Sequence, residues 1–406
     1  MIIKFILCGF LIMLMSSNMK LPIFAYYSRI SDDYGRTHLI DAAPTIFALS
    51  QGLFSYLIGS LSHRWGTARI LIFGTFFASV VLLALPGSEN PISFVLLYGF
   101  CASFALTCIS YVPLSVLIDQ VSERGKTGFS YALVINGAAV GYVIFAPVWI
   151  LAQTSIHWQD SFRYESAAFA SLGIILLFVF REFSWRPNEA PCHDLKREFL
   201  FPRSAHWNSH EKRIFAILGA GFFCCGATMS FIDALLVPPW QMQNATSWVM
   251  ASSLSVLGLL EIISGLIAGY LADGLHKLKY LGAFYSLKGL SFLLFAFLYS
   301  PLTAMTFCIV FGVSFLGSVV MTSAVSLEVF CSRRHGSIFG MLFLIHQIGG
   351  VIALGFGFMT IRNLHAFFLH ILILSSLTLI AALACFATRY PLSPSLRTRR
   401  NGVIRR

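Results

Sequence analysis

The sequence predicts an all-α integral membrane protein in which twelve transmembrane helices form two pseudo-symmetric bundles of six. Three observations support this fold class: the composition, the number of apolar segments and an internal repeat. The 406 residues are 57% hydrophobic and 11% charged, with a mean hydropathy of +0.78. Soluble domains carry about 25% charged residues. A chain with so few charges and 39 phenylalanines could not cover a water-facing surface, so we expect it to lie in a bilayer.

Twelve apolar segments are about 20 residues long, which is enough to cross a bilayer as a helix. We call them spans one to twelve, and their predicted limits are 3–27, 39–61, 69–87, 91–118, 128–152, 166–181, 214–237, 248–271, 279–299, 302–327, 336–359 and 364–387. They divide the chain into an N-terminal bundle (1–181), a cytoplasmic linker (182–213), a C-terminal bundle (214–388) and a basic tail (389–406). Lys4 precedes a short apolar stretch, as in a cleaved signal peptide. Removing span one would break the correspondence between the halves, so we retain it.

The two halves repeat one another at an offset of 210 residues. Residues 59–69 read Gly-Ser-Leu-Ser-His-Arg-Trp-Gly-Thr-Ala-Arg, and residues 269–279 read Gly-Tyr-Leu-Ala-Asp-Gly-Leu-His-Lys-Leu-Lys. Each stretch joins the end of one apolar span to the start of the next, and we call them the first and second motif turns. The same offset relates Pro91 to Pro301, Arg124 to Arg334 and Phe129 to Phe339. A repeated hydrophobic half is typical of secondary transporters, which hold their solute between the halves.

The basic residues predict the orientation. With both termini in the cytoplasm, 22 of the 28 lysines and arginines lie in cytoplasmic segments. The external loops then hold Arg29, Arg36, Arg163 and Arg362. This bias follows the positive-inside rule and predicts a multi-pass protein of the plasma or inner membrane. The net charge of +11 therefore reflects the excess of basic residues in the cytoplasmic segments. The basic tail is expected to be a disordered cytoplasmic end, and attraction to anionic lipid is the alternative. Asn244 begins a glycosylation sequon on the predicted outer side.

The sequence also excludes several classes of function. It has no phosphate-cradling glycine-rich loop, so we do not expect ATP to drive transport. No span carries a metal-ligand cluster or a nucleophile–His–acid set, and the nine cysteines lack zinc or disulfide spacing. We therefore expect no enzyme activity and no cofactor, with a proton or ion gradient as the energy source. The expected partners are a small-molecule solute and the lipid bilayer, not nucleic acid, and the expected functional unit is a monomer.

The first motif turn resembles the major facilitator superfamily signature Gly-x-Leu-x-Asp-Arg-x-Gly-x-Arg between spans two and three. The matching residues are Gly59, Leu61, Arg64, Gly66 and Arg69, and His63 replaces the Asp. The second turn keeps Gly269, Leu271 and Asp273, with Gly274 where Arg is usual. The resemblance covers almost the whole chain. It implies that the two motif turns control the inward gate. The physical reason is that an acid at a helix end can hold the N-terminus of a neighbouring helix and so close the cytoplasmic side. His63 would weaken this latch or make it pH-dependent; alternatively, the residues only set a tight turn.

Spans five and eleven indicate which carriers of the superfamily the chain resembles. Span five contains Gly137, Gly141 and Pro147, small or kinking residues expected at helix-packing positions. This stretch and residues 336–350 of span eleven are similar to the monocarboxylate, oxalate/formate and cyanate-type carriers of the superfamily. Drug antiporters have Pro directly after Gly in span five, whereas Tyr142 follows Gly141 here. This favours an organic-anion carrier, although such carriers often have an Arg in span eight and residues 261–265 contain none.

Two ionisable residues occupy nearly equivalent places in the two halves. Ionisable groups within spans usually face the bundle interior. Lys20 in span one and Asp233 in span seven are offset by 213 residues. They could pair across the pseudo-twofold axis and exchange partners with an anion or a proton; alternatively, they form a static pair or reach interfacial water. Lys288 lies in span nine, usually a peripheral support helix. There an ion pair at a packing interface, or a wrong span limit, is favoured over a role in solute binding.

Other polar residues in the spans are candidates for binding and coupling. Glu261 in span eight is a plausible proton carrier, because burial raises a carboxyl pKa, and its counterpart in span two is Gln51. The alternative is a neutral acid hydrogen-bonded between helices. His346 and Gln347 in span eleven lie opposite Asn136 in the repeat. They could bind a carboxylate or relay a proton, or His346 could cap a backbone carbonyl.

The sequence therefore predicts a secondary transporter that moves a small, anionic organic solute by alternating access, with possible proton coupling. The residues expected to attract the solute are Lys20, Asn136, His346 and Gln347. Glu261 and Asp233 would titrate or balance charge. One alternative is an efflux antiporter for lipophilic compounds, suggested by the many aromatic residues. A non-transporting membrane sensor on the same scaffold is another alternative, suggested by His63 and Gly274 in the motif turns.

Overall fold

The computed structural model describes residues 2–35, 38–123, 126–152, 155–181, 207–236, 247–297, 301–360 and 363–388. Arg124, Asn244, most of the predicted linker and the basic tail lie outside the described residues. The side chains of Pro147 and Asp233 also lie outside the described part, so the predicted pairing of Asp233 with Lys20 stays a prediction.

All regular elements in the described residues are helices, which confirms the predicted all-α fold class. In the first half, the helices are Ile2–Asn18, Leu21–Ala25 and Tyr27–Asp33 (span one), His38–Leu61 (two), Thr67–Ala84 (three), Pro91–Val95, Ser103–Cys108 and Tyr111–Val121 (four), Thr127–Ala152 (five) and Trp158–Phe180 (six). In the second half, they are Ser209–Leu235 (seven), Ser247–Ala272 (eight), Lys277–Phe297 (nine), Pro301–Gly312 and the start of Gly317–Thr360 (ten), the rest of Gly317–Thr360 (eleven) and Leu364–Ala387 (twelve). Ten described helical stretches are long and apolar enough to cross a membrane, and Ala42–Gly87 covers both spans two and three.

Span one departs from the prediction of one helix over residues 3–27. Its first helix ends at Asn18, and the next begins at Leu21 with Pro22 in its first turn. Proline has no backbone N–H, so it cannot continue the hydrogen-bond ladder of the preceding helix. The break therefore falls at Met19 and Lys20, and it places the lysine at a helix junction inside the bundle.

Spans ten and eleven form a hairpin, although the helix Gly317–Thr360 is continuous in its local geometry. Ser318 Oγ lies 3.2 Å from Cys225 Sγ, and the carbonyl of His346 lies against Gly226. A straight helix would separate residues 28 positions apart by about 42 Å. Both residues instead contact the same turn of span seven, so the chain reverses between them, as the two predicted spans require.

Two other helices begin earlier than predicted. Span seven starts at Ser209, inside the segment predicted as linker, because Asn208 and Glu211 form a reciprocal capping box. Span six starts at Trp158, eight residues before the predicted limit. Its first turns carry charged residues that the sequence assigned to a loop.

The packing of the spans repeats the symmetry of the sequence. Span one packs on five and span seven on eleven, while span three packs on six and span nine on twelve. Between the halves, span two packs on eleven and span five on eight. Each of these pairs maps onto another pair when the halves are exchanged. The offset seen in the sequence therefore extends to the contacts of the folded chain.

Small residues allow the closest of these contacts. A Cβ at Gly137 would overlap the carbonyl oxygen of Phe10, and one at Gly141 would overlap Ser17 Oγ, both in span one. In the other half, Gly349 meets the carbonyl oxygen of Phe223 in the same way. Spans one and five, like seven and eleven, thus approach at backbone distance.

Candidate functional site

A polar cluster joins spans one, two and eleven, and we call it the amide cluster. The Oε1 atom of Gln51 accepts hydrogen bonds from Lys20 Nζ at 3.3 Å and from Gln347 Nε2 at 2.8 Å. Gln51 is buried, whereas Lys20 and Gln347 are half-buried. The structure therefore brings together three of the residues that the sequence singled out.

The local chain geometry delivers the lysine to this cluster. Lys20 lies in the break between the first two helices of span one, so its side chain leaves a helix junction. Its ammonium lies 5.4 Å from the ring centroid of Phe47, within the range of a cation–π contact. Gly52 lets span eleven approach span two here, because a Cβ on it would stand 2.9 Å from Gln347 Cβ. Among the described side chains, the cluster thus places the Lys20 ammonium next to two neutral amides.

His346 does not share the hydrogen bonds of its neighbour Gln347. Successive residues point about 100° apart around an α-helix. The imidazole is buried against the rings of Phe222 and Phe343, at centroid distances of 4.8 and 5.5 Å, and interacts with the Cys225 thiol of span seven. In this conformation the two side chains therefore have different neighbours, and their joint action on one carboxylate stays a prediction.

Asn136 and Glu261 belong to a second crossing, between spans five and eight. Asn136 is 4% exposed, and neither polar atom of its amide has a hydrogen-bond partner among the described residues. The amide packs on Gly265, where a Cβ would stand 2.8 Å from Asn136 Oδ1. Glu261 lies one helical turn before Gly265 and is half-buried. The structure thus places Asn136 beside the turn that carries Glu261, and the amide cluster lies in the pseudo-equivalent crossing of spans two and eleven.

The first motif turn contacts the start of span eleven. The chain reverses in a π-helical segment, Ser62–Gly66, in which Gly66 has a φ of +90°, a conformation that favours glycine. The Nε2 atom of His63 accepts a hydrogen bond from the backbone N–H of Gly336 at 3.1 Å. A Cβ at Gly59 would overlap the Gly336 carbonyl. Burial lowers the pKa of His63 to about 4, so the neutral acceptor form is the stable one here.

The second motif turn makes the equivalent contact with span five. The two carboxylate oxygens of Asp273 accept hydrogen bonds from the backbone N–H groups of Gly128 and Phe129, at 2.9 and 3.1 Å. A Cβ at Gly269 would overlap Ala132 Cβ. Burial raises the pKa of Asp273, and the two N–H donors and Lys277 oppose that rise.

Position five of each motif turn therefore holds the start of a span in the opposite half. Asp273 does so with a charged acceptor, and His63 does so with a neutral one. Of the other signature residues, Leu61 and Leu271 are half-buried, and Arg64 and Arg69 are exposed. In this conformation the two halves are latched together on the face that carries the motif turns.

Some contacts at this face were not predicted. Lys277 Nζ forms an ion pair with Glu328 of span ten at 2.9 Å, and their side chains are only 11% and 14% exposed. The ring nitrogen Nε2 of His335 lies 3.0 Å from Ser115 Oγ of span four, which adds a bond between the halves. The signal for the ion pair was a lone glutamate at the end of an apolar span, but its partner could not be read from the sequence.

The chain is similar in sequence to known membrane transport proteins. The family model described as Major Facilitator Superfamily matches residues 5–354. The uncharacterized MFS-type transporter YcxA of Bacillus subtilis is 27% identical over 338 residues, which are 82% of this chain and 81% of YcxA. Monocarboxylate transporter 4 of Mus musculus is 20% identical over 304 residues, 71% of this chain and 62% of the transporter. The fujikurins efflux protein of Gibberella fujikuroi is 25% identical over 225 residues, 53% of this chain and 44% of that protein.

Proposed function

The chain belongs to the major facilitator superfamily, and we propose that it carries a small organic anion across a membrane by alternating access. The observation that carries the proposal is the amide cluster: the Lys20 ammonium and the amides of Gln51 and Gln347 join three spans from both halves. A site built from both halves is one that a rocking motion can open to either side in turn.

The chemistry of the cluster supports an anionic solute. An ammonium has three N–H donors, and a carboxylate accepts charge-assisted hydrogen bonds from such a group. The amide of Gln347 could release Gln51 and donate to the same carboxylate. The likeness to a monocarboxylate transporter supports the same class of solute. We propose that Lys20 selects solutes with a negative charge and that Gln51 and Gln347 orient the bound solute.

Proton coupling is assigned to the crossing of spans five and eight. Glu261 is half-buried in span eight, one turn from the glycine that Asn136 packs on. Separation of the two halves would change the exposure of its carboxyl and therefore its proton affinity. We also infer cytoplasmic termini, a monomeric functional unit and no cofactor.

Efflux of lipophilic compounds is the second candidate function. Aromatic rings surround the polar clusters: Phe47 faces Lys20, Tyr111 stacks on Phe343 at 5.4 Å, and Phe222 packs on His346. The likeness to the fujikurins efflux protein supports this reading. A lipophilic solute would use these rings and would not depend on the charge of Lys20.

The test is solute flux in liposomes that contain the purified protein and an internal pH dye. Short carboxylates, amino acids and lipophilic cations are supplied outside at two pH values. We expect carboxylate-dependent acidification of the interior that falls at least tenfold in Lys20→Met. Glu261→Gln is expected to uncouple proton entry from solute exchange.

Lys126→Met is the matched control, because Lys126 forms a surface pair with Glu123 and both side chains are 72% exposed. Such pairs contribute little, so transport should be unchanged. Flux of lipophilic cations alone would replace the anion proposal with the efflux reading. No flux of any solute by folded protein would overturn the transporter proposal and favour a sensor.

A further inference from the structure

Lys288 is completely buried in the second half of the molecule. Its exposed fraction is 0%, and it lies near the middle of span nine. Burying a lone ammonium is costly, so a buried lysine requires a counter-charge or loses its proton. The expectation of a packing ion pair therefore raises the question of which group supplies the negative charge.

The neighbours of Lys288 come from spans seven and ten. Its Nζ atom lies 3.2 Å from Cys225 Sγ and donates a hydrogen bond to Ser318 Oγ at 2.8 Å. The ring centroids of Phe311 and Phe315 lie 5.6 and 5.8 Å away. Among the described side chains, no carboxylate lies within ion-pair distance of this lysine. Among the described neighbours at hydrogen-bond distance, the thiol of Cys225 is therefore the group that readily becomes an anion.

The contacts favour the charged form of this pair over the neutral one. In water a cysteine thiol is a stronger acid than a lysine ammonium, so proton transfer from sulfur to nitrogen is favourable. Burial opposes that transfer, but the two charges here are in contact and attract each other strongly. Two aromatic faces stabilise the ammonium, and the Ser318 hydroxyl, 3.2 Å from Cys225 Sγ, can donate to the thiolate.

We propose that Cys225 and Lys288 form a buried thiolate–ammonium pair and that Cys225 is a reactive site for small, soft electrophiles. The thiolate is the nucleophilic form of cysteine. Cys225 is 0% exposed in this conformation, and its thiol interacts with His346 of span eleven, which is 8% exposed. A small reagent would therefore reach Cys225 when spans seven and eleven separate.

Modification of Cys225 is expected to inhibit the protein. The Cys225 thiol interacts with the His346 side chain of span eleven. An added group on Cys225 would therefore displace that imidazole and, with it, the neighbouring Gln347 from Gln51. This consequence rests on the proposed function, whereas the charge state and reactivity of Cys225 do not.

The charge state is tested by infrared spectroscopy of the purified protein. A thiol has an S–H stretching band in a region free of other protein bands, and a thiolate has none. The difference between wild type and Cys225→Ser isolates this one residue. We expect Cys225→Ser to show the same S–H bands as wild type, because Cys225 contributes none. In Lys288→Met we expect a new S–H band. Loss of a normal S–H band in Cys225→Ser would overturn the ion pair. Lys288→Arg keeps the cation, so no new S–H band is expected in that variant. If Lys288→Met does not fold, the difference between wild type and Cys225→Ser decides the charge state by itself.

The reactivity is tested with methyl methanethiosulfonate and mass spectrometry. The Cys225 thiolate would attack the sulfenyl sulfur, forming a disulfide to the S-methyl group and releasing methanesulfinate. Cys224 is the matched control, because it is the adjacent residue and is also buried. We expect Cys225 to react at least tenfold faster than Cys224 at neutral pH, and Lys288→Met to remove that advantage. Equal rates, or no reaction at Cys225, would overturn the reactive site.

Inhibition is tested separately in the liposome assay. The reagent should block flux in wild type and leave Cys225→Ser active. If the protein moves no solute, the infrared and mass-spectrometric results still decide the proposal. Failure of the transport proposal and failure of this one are therefore distinguishable.

Discussion

Replacing Asp273 with alanine is expected to open the face that carries the two motif turns. In the structure, the Asp273 carboxylate accepts hydrogen bonds from Gly128 and Phe129, at the N-terminus of span five in the opposite half. Alanine removes both acceptors and leaves two helix N-terminal donors without a partner. The expected result is a shift of the equilibrium toward a conformation in which the two halves separate at this face.

The size of the shift follows from the two hydrogen bonds. Bonds to a charged group are strong, but burial raises the pKa of Asp273, which shows that desolvation offsets part of the gain. We therefore use the ordinary net value of about 0.5–1.5 kcal/mol for each bond, or about 1–3 kcal/mol for the pair. That corresponds to a change of roughly 5- to 150-fold in the ratio of closed to open molecules. Asp273→Asn retains one carbonyl acceptor and should show at most about half this free energy.

The assay is double electron–electron resonance between spin labels at positions 65 and 279. Trp65 is 64% exposed in the first motif turn, and Lys279 is exposed at the start of span nine. Asp273→Ala should add a longer distance to the distribution. His63→Ala, which removes one neutral bond to Gly336, should add less of it. An unchanged distribution in Asp273→Ala, or a larger effect of His63→Ala, would refute the latch.

Two further predictions follow from the packing and the first latch. Gly137→Ala should lower the unfolding temperature of the protein by several degrees, because the new Cβ overlaps the Phe10 carbonyl. Gly355→Ala is the control, because a Cβ at Gly355 meets open space and should not change that temperature. Thermal unfolding of both variants measures the difference. Acidification should loosen the first latch as the pH falls from about 6.5 toward 4. The pKa of His63 is lowered to about 4 only when the turn is closed. In this pH range the open form therefore binds a proton that the closed form does not, and acid favours the open form. Measured by the same spin labels, this pH dependence should be absent in His63→Asn, and its persistence there would assign it to another group.

The sequence predicted the fold class and much of the symmetry. Apolar spans and their repeat depend on composition and spacing, which the sequence shows directly. The His63 and Asp273 contacts were expected at helix ends, and the structure places both there. The start of span six was missed because Arg163 was assigned to an external loop, whereas the helix begins at Trp158 and its Glu165 is only 1% exposed.

The partners of the polar residues could not be predicted in the same way. A helix in lipid can be apolar all round, so its pattern does not fix which face meets which neighbour. For this reason His346 was expected with Gln347, whereas it faces span seven. Lys288 was expected in an ion pair at a packing interface, but its neighbours, Cys225 and Ser318, could not be read from the sequence. The signal for the break at Lys20 was visible in Pro22, but its effect on the direction of the lysine depended on tertiary contacts.

The most direct test of the central claim is solute binding by the purified protein. A series of short mono- and dicarboxylates is titrated together with the corresponding uncharged amides, using wild type and Lys20→Met. A charge-assisted hydrogen bond contributes about 1.5–3 kcal/mol, so wild type should bind at least one carboxylate roughly tenfold or more tightly than its amide. In Lys20→Met that preference should disappear. Equal binding of acid and amide by wild type, or an undiminished preference in Lys20→Met, would contradict the assignment of this cluster as an anion site.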